Sequence, residues 1–317
     1  MFAVAERTVA VLAGGLSHER EVSLRSGRRL ASELRAEGAV VSEWDADASL
    51  LTRLRREPPE AVAIALHGDE GENGSIQAVL EMLGVPFVGT DSRACRSAWD
   101  KPTAKAVLVR AGMATPDWVV LPHATFRELG ARAVLDAIVD RLGLPLMIKP
   151  DQGGSALGAR VVRQAAELPA AMVDCLAYGH AVLAERFVAG TEVAVSVVAD
   201  PEPRALPVVE IQAKGGIYDY TARYTPGATA FPCPAGLPEE VLRSAEATAL
   251  AVHRLLGLRD LSRTDAIVTE DGTVHVLEVN VTPGLTETSL LPTAAEAAGE
   301  RLGSLFSVLI DNAVRRG

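Results

Sequence analysis

The chain has 317 residues, too many for one core of ordinary size, and its 48% hydrophobic and 4% aromatic content fits a globular protein with aliphatic cores. A formal charge of −10 argues against nucleic acid or an anionic membrane surface as the main partner, while small phosphates remain compatible with local positive sites. Cys95, Cys175 and Cys233 are few, odd in number and far apart, which suggests neither a disulfide framework nor a zinc knuckle. The sequence reads as a reduced, cytoplasmic protein with no signal peptide and no membrane span.

Residues 8–13 predict a short strand, followed by Gly14-Gly15 and a helix opening within 17–26. A second strand at 61–66 runs into His67-Gly68-Asp69-Glu70-Gly71-Glu72-Asn73-Gly74, with a helix from about Ser75 to Leu83. This is the pattern of a small open α/β domain, whose ligands bind at the carboxyl ends of the strands, where the loops at 14–19 and 67–74 lie.

From Cys95 to about Ala184 the chain predicts helices at 99–111 and 127–142, then the strand Pro145–Lys149 and the glycine-rich loop 153–158. The lysine precedes the glycines, so this is not a Walker A loop, yet backbone N–H groups in such a loop can still cradle phosphate. The sequence has only four lysines, Lys101, Lys105, Lys149 and Lys214. Lys149 ends an apolar strand, where a compact positive head suits phosphate oxygens. Residues 183–188 and 191–198 then read as successive strands of a second sheet, 215–224 as a long loop of the kind that forms lids, and 237–256 as a helix. Helices at 292–299 and 301–314 close the chain.

The most telling segment is the hairpin between them. If Asp271-Gly272 form a two-residue turn, Asp265 pairs with Glu278 and Arg263 with Asn280, and alternation places all four on one face. Directly opposed carboxylates repel unless a cation sits between them, and an oxygen-only donor set suggests Mg²⁺, completed by water and phosphate oxygens. Arg263 beside them suits a phosphate or a developing oxyanion.

Read together, Gly14–Leu24, His67–Gly74, Asp100-Lys101, Ile148-Lys149-Pro150, Gly154-Ser155, Tyr218–Tyr224, Arg263-Thr264-Asp265, Glu278–Gly284 and Ser289-Leu290 resemble the D-alanine–D-alanine ligases of the ATP-grasp superfamily, over essentially the full length. The resemblance implies an ATP-grasp fold, α/β and α+β in class, with an N-terminal open α/β (preATP-grasp) domain. It divides the chain into a substrate-binding domain at 1–94, a central ATP-grasp subdomain at 95–184 and a C-terminal ATP-grasp and metal-binding domain at 185–317. It implies ATP, two Mg²⁺ ions on Asp265, Glu278 and Asn280 (Mn²⁺ as a substitute), and D-alanine as substrate. It also implies an acylphosphate intermediate, a role in peptidoglycan precursor synthesis and a homodimer. By the same resemblance Lys101, Lys149 and Arg223 reach ATP phosphates, Arg223 standing where relatives commonly have lysine. Glu185, Arg186 and Val188 border the adenine and Glu192 lies near the ribose. Glu19 pairs with the ammonium of the first D-alanine, His67 positions its carboxylate, and Ser289 with the Leu290 amide holds the carboxylate of the second. Arg263 and the Gly284 amide form an oxyanion hole, and Ser155 and Tyr224 join Glu192 in closing the lid. Tyr224 favours an amine acceptor, because relatives that make an ester carry histidine there.

Overall fold

The computed structural model describes residues 6–225 and 227–317. Its first sheet is parallel, in the order β2-β1-β3-β4, from β1 (Thr8–Ala13), β2 (Val40–Asp45), β3 (Ala61–Ile64) and β4 (Phe87–Val88). Helices cover parallel strands on both faces, which is why β1 and β3 are near-continuous apolar runs. The flanking helices are α1 (Arg20–Ala36), α2 (Leu50–Arg56), α3 (Asp69–Glu72) and α4 (Ser75–Leu83). The expected open α/β unit is therefore present, with Glu19 and His67 at the carboxyl ends of β1 and β3.

The helix expected over 99–111 is present as α6 (Lys101–Arg110), and a separate helix not expected, α5 (Ser92–Trp99), precedes it. Asp100 breaks the run: its side chain accepts from the Thr103 amide and caps α6, with a proline in the first turn. A second, antiparallel sheet follows in the order β5-β8-β6-β7, from β5 (Trp118–Pro122), β6 (Leu146–Pro150), β7 (Arg160–Val162) and β8 (Ala181–Arg186). It is covered by α7 (His123–Leu129), α8 (Ala131–Leu142) and α9 (Leu168–Leu176).

The third sheet contains β9 (Thr191–Asp200), β10 (Glu202–Ala205) and β11 (Val209–Glu210). A short ribbon of β12 (Gln212–Ala213) and β13 (Thr229–Ala230) flanks the helical turn α10 (Tyr220–Tyr224). The chain returns through α11 (Glu239–Leu255) to β14 (Leu261–Val268) and β15 (Val274–Asn280), giving the order β10-β9-β14-β15 with β11 also on β9. It ends in α12 (Leu290–Ala297) and α13 (Leu302–Arg316).

Three expectations are corrected here. The boundary placed after Ala184 cuts through β8, whose Glu185 and Arg186 still pair with Met147 and Leu146 of the second sheet. For the same reason 183–188 and 191–198 are not neighbours in one sheet: β8 closes the second and β9 opens the third. The segment from Cys95 to Leu108, assigned to the central unit, packs instead against α11 and β15, sharing a core with Val252, Val276 and Val279. In addition, α13 lies on the N-terminal unit, its Phe306, Leu309 and Ile310 in one core with Val9, Val11 and Leu30.

The hairpin has the predicted pairing at the site by a different route. Val268 pairs with Val274, so the turn holds three residues, Glu270, Asp271 and Gly272, and the register is offset by one from that of a two-residue turn. A bulge between Ala266 and Asp265, which leaves Leu277 unpaired, restores Asp265 opposite Glu278 and Arg263 opposite Asn280. It also interrupts alternation, so that Leu277 and Glu278, consecutive in sequence, both reach the same cavity.

Candidate active site

Two neighbouring cavities between these units, of about 400 and 310 Å³, hold the expected residues, beside a wider cleft of about 810 Å³ between the first two units. The larger of the two cavities runs between the second and third sheets, with apolar walls from Met147, Phe187, Val188, Ile211, Ile267 and Leu277. The smaller is bounded by Glu19, His67 and Glu72 on one side and by Arg263, Asn280, Gly284, Ser289 and Leu290 on the other. Lys101, Gly153, Gly154, Tyr218, Arg223 and Glu278 line both, so a cationic wall with one carboxylate separates an apolar slot from a polar chamber.

Within the larger cavity Lys149 and Glu185 form a buried pair at 2.8 Å, and the other Glu185 oxygen meets Lys105 at 2.7 Å. Burial opposes the charge on Glu185, but Lys149 and Lys105 hold its carboxyl below the usual range. Burial likewise opposes the charge on Lys149, yet Glu185 and Glu278 raise its ammonium above the usual value. Arg186 and Val188 line the same cavity, Arg186 lying 3.9 Å from the exposed Asp117. Burial pushes Glu192 up to about 7, against the neighbouring Arg223. The Arg223 guanidinium stacks 4.2 Å from the Tyr218 ring, and its Nε has no hydrogen-bond partner among the described residues. That leaves it a donor for an anion.

On the shared wall the Lys101 ammonium donates to the Gly153 carbonyl at 2.6 Å and stands 3.6 Å from Glu278. Burial would raise the Glu278 carboxyl, but Lys101, Lys149, Arg223 and Arg263 hold it down to about 2. Behind it, Arg263 donates through Nε and Nη2 to the two oxygens of Asp265 at 2.6 and 2.7 Å, a buried bidentate pair. The Asn280 amide oxygen accepts from the Thr282 N–H. Among the described residues no three His, Cys, Asp or Glu side chains converge as a metal cluster. The donors present are two opposed carboxylates and an amide, all oxygen, and Glu278 is held in its charged form, a donor set that fits a hard divalent cation such as Mg²⁺.

In the smaller chamber, the Ser155 hydroxyl donates to Glu19 across the interface between the first two units. Gly68 has φ 80°, and a Cβ there would stand 2.9 Å from the Glu19 carboxylate. Its N–H donates to Glu72, whose carboxyl is raised by burial and by Glu19. His67 does not present a free nitrogen to a substrate. Its Nδ1 donates to the Thr282 carbonyl at 3.0 Å and its Nε2 accepts from Ser26 at 2.8 Å, so the ring fixes the 282–285 segment. Burial lowers it to about 4, and it is neutral. Gly284 faces Ser289, where a Cβ would stand 2.8 Å from Oγ. Ser289 begins α12 and accepts from the Thr286 amide at 3.0 Å, with Leu290 as the first helical residue behind it. The side chain of Tyr224 lies outside the described residues.

Apart from Tyr224, the expected residues line two cavities with one common wall, and His67 turns both ring nitrogens to protein partners. Sequence reasoning missed Lys105, Glu72 and the apolar slot of Met147, Ile211 and Leu277. Lys105 carried a signal: it is one of four lysines and sits four residues after Lys101, on the same helical face.

Two sheets clasping an apolar slot with lysines at its end, beside a chamber for small polar molecules, define the ATP-grasp class of nucleotide-dependent ligase. Residues 107–311 match the family model described as D-ala D-ala ligase C-terminus. A D-alanine–D-alanine ligase of Moorella thermoacetica is 40% identical over 306 residues, 96% of this chain and 99% of that protein. One of Anaeromyxobacter dehalogenans is 41% identical, covering 97% of each. The crystal structure of the Bacillus anthracis ligase complexed with ATP superposes with a TM-score of 0.81 over 98% of each chain at 27% identity. The chain belongs to the D-alanine–D-alanine ligase family.

Proposed function

We infer that this chain joins two D-alanine molecules to D-alanyl-D-alanine with conversion of ATP to ADP and phosphate, supplying a precursor of peptidoglycan. The observation that carries the reading is the single wall common to the two cavities, because phosphoryl transfer needs donor and acceptor to meet across one set of neutralising charges. The apolar slot takes the base, with Glu192 toward the ribose and Lys101, Lys149 and Arg223 toward the phosphates. Asp265, Glu278 and Asn280 would hold Mg²⁺, which when bound would supply neutralisation of charge on the transferring phosphoryl group.

Glu19 holds the ammonium of the first D-alanine, so that its carboxylate oxygen attacks the γ-phosphorus and the bond to the ADP oxygen breaks. The second D-alanine, deprotonated to its free amine, then attacks the acylphosphate carbon, and the proton its nitrogen sheds on forming the amide leaves with the phosphate. Arg263 and the Gly284 N–H face the oxygen that gains charge, and phosphate leaves as the C–N bond is completed. Ser289 and the Leu290 amide, at the positive end of α12, orient the second carboxylate. His67 acts as a positioning residue by fixing the segment that carries Gly284. The turn at 220–224, with Ser155 and Tyr224, closes over the chamber and keeps water from the acylphosphate. A homodimer in the cytoplasm and preference for an amine acceptor rest on family resemblance. Among the described residues no helix is long and apolar enough to cross a membrane.

The test is phosphate release from ATP and Mg²⁺ with D-alanine, L-alanine or D-lactate, with mass detection of product. Release with D-alanine and a dipeptide mass is expected. Asp265→Ala and Glu278→Ala should each abolish ADP formation, and retained turnover in either would defeat the metal assignment.

A further inference from the structure

Lys105 is a charged side chain 1% exposed, on the same face of α6 as Lys101, and the reaction outlined above makes no use of it. Burying an ammonium is costly unless each proton has an acceptor, and here the acceptors are specific. Nζ meets Glu185 Oε1 at 2.7 Å and donates to Thr115 Oγ1, whose own hydroxyl donates to the Val276 carbonyl at 2.7 Å. It also lies 5.2 Å from the centre of the Trp118 ring, and Trp118 is the cross-strand partner of Glu185. Val276 directly precedes the two residues that the bulge turns into the nucleotide slot.

One lysine therefore ties α6, β5, β8 and β15 together behind Glu185. Each carboxylate oxygen has one ammonium beside it, Lys105 at Oε1 and Lys149 at Oε2, and Oε1 accepts no well-aligned hydrogen bond among the described residues, which leaves it accepting capacity. With both lysines in place the carboxylate cannot rotate fully onto either, and Glu185 is among the residues lining the slot.

We propose that Lys105 is a positioning residue for nucleotide selection: by sharing Glu185 with Lys149 it holds the carboxylate as an acceptor that takes a base with an exocyclic amino group and rejects one with a carbonyl there. The inference rests on the nucleotide reading of the larger cavity. Without Lys105, Glu185 is free to turn both oxygens to Lys149, and the accepting edge is lost. A 6-oxo purine, whose oxygen meets the carboxylate lone pairs unfavourably in the native site, then suffers no comparable loss.

Equilibrium binding of ATP and of inosine triphosphate, which carries oxygen in place of the amino group, tests this directly. In Lys105→Met the ratio of the two affinities should fall at least tenfold from that of the native chain. In Thr115→Val, which keeps every charge but removes the hydroxyl that anchors Lys105, it should fall in the same direction by about threefold. Lys105→Cys treated with bromoethylamine, which rebuilds an ammonium at the same reach, should recover the ratio, with the treated native chain as control for the other cysteines. A ratio unchanged in Thr115→Val and in any folded Lys105 variant, even with lower thermal stability, would overturn the proposal and leave Lys105 a packing residue. Because binding is measured, loss of ligation in the native chain would count against the proposed reaction alone.

Discussion

At the scale of single residues, the site is built from groups whose surroundings fix one role each. Asp265 and Glu278 face one another across a strand pair but differ in setting: Asp265 is locked to Arg263, while Glu278 opens onto both cavities. Gly284 has a steric reason to be glycine, since its missing Cβ is what leaves room for Ser289. Gly284→Ala should therefore raise the KM for the second D-alanine at least tenfold while the melting temperature changes little; a KM within threefold of native would show that Ser289 yields without consequence. The charged pairs at this scale were legible because strand alternation specifies which side chains meet. The second-layer groups were not. Nothing in the alternation of residues says that His67 spends both ring nitrogens on Thr282 and Ser26, or that a lysine on a helix is buried.

At the scale of elements, two departures from the expected hairpin cancel. The turn is one residue longer than Asp271-Gly272 alone, and the bulge adds one residue opposite it, so the pairs that matter stay in register. Sequence reasoning read the right partners because it counted a sum that both routes share. The exchange of β8 between sheets and the break at Asp100 were harder to read, since each depends on packing between segments far apart in the chain. α13 is another such case. Phe306 is 1% exposed in a core shared with β1 and α1. Phe306→Ala should cost about 3–5 kcal/mol, the range for a large aromatic removed from a packed core. Urea unfolding monitored from Trp44, on the first sheet, measures it, and a shift under about 1 kcal/mol would mean that the helix is only loosely seated.

At the scale of the whole molecule, the pH dependence of stability follows from groups kept uncharged inside. His67 and His253 are both buried, and burial lowers each to about 4 from an ordinary 6.5. Between those values the unfolded chain binds more protons than the folded one, so stability rises with pH, is complete above about 6.5 and is lost as the pH falls toward 4. For one such ring the full loss is about 3 kcal/mol. Comparing native protein with His253→Gln by urea unfolding at pH 7 and pH 4.5 separates the ring from carboxylates that titrate nearby. The native chain should lose more on acidification, and equal losses would sink the argument.

The seating of the last helix on the first sheet also sets an order of assembly. The strands β1–β4 are made well before α13 and lack one wall of their core until residues 302–316 have emerged, so that unit closes later than its place in the chain suggests. The loops bearing Glu19 and His67 are carried on that unit, so the amino-acid chamber is complete only once α13 has docked.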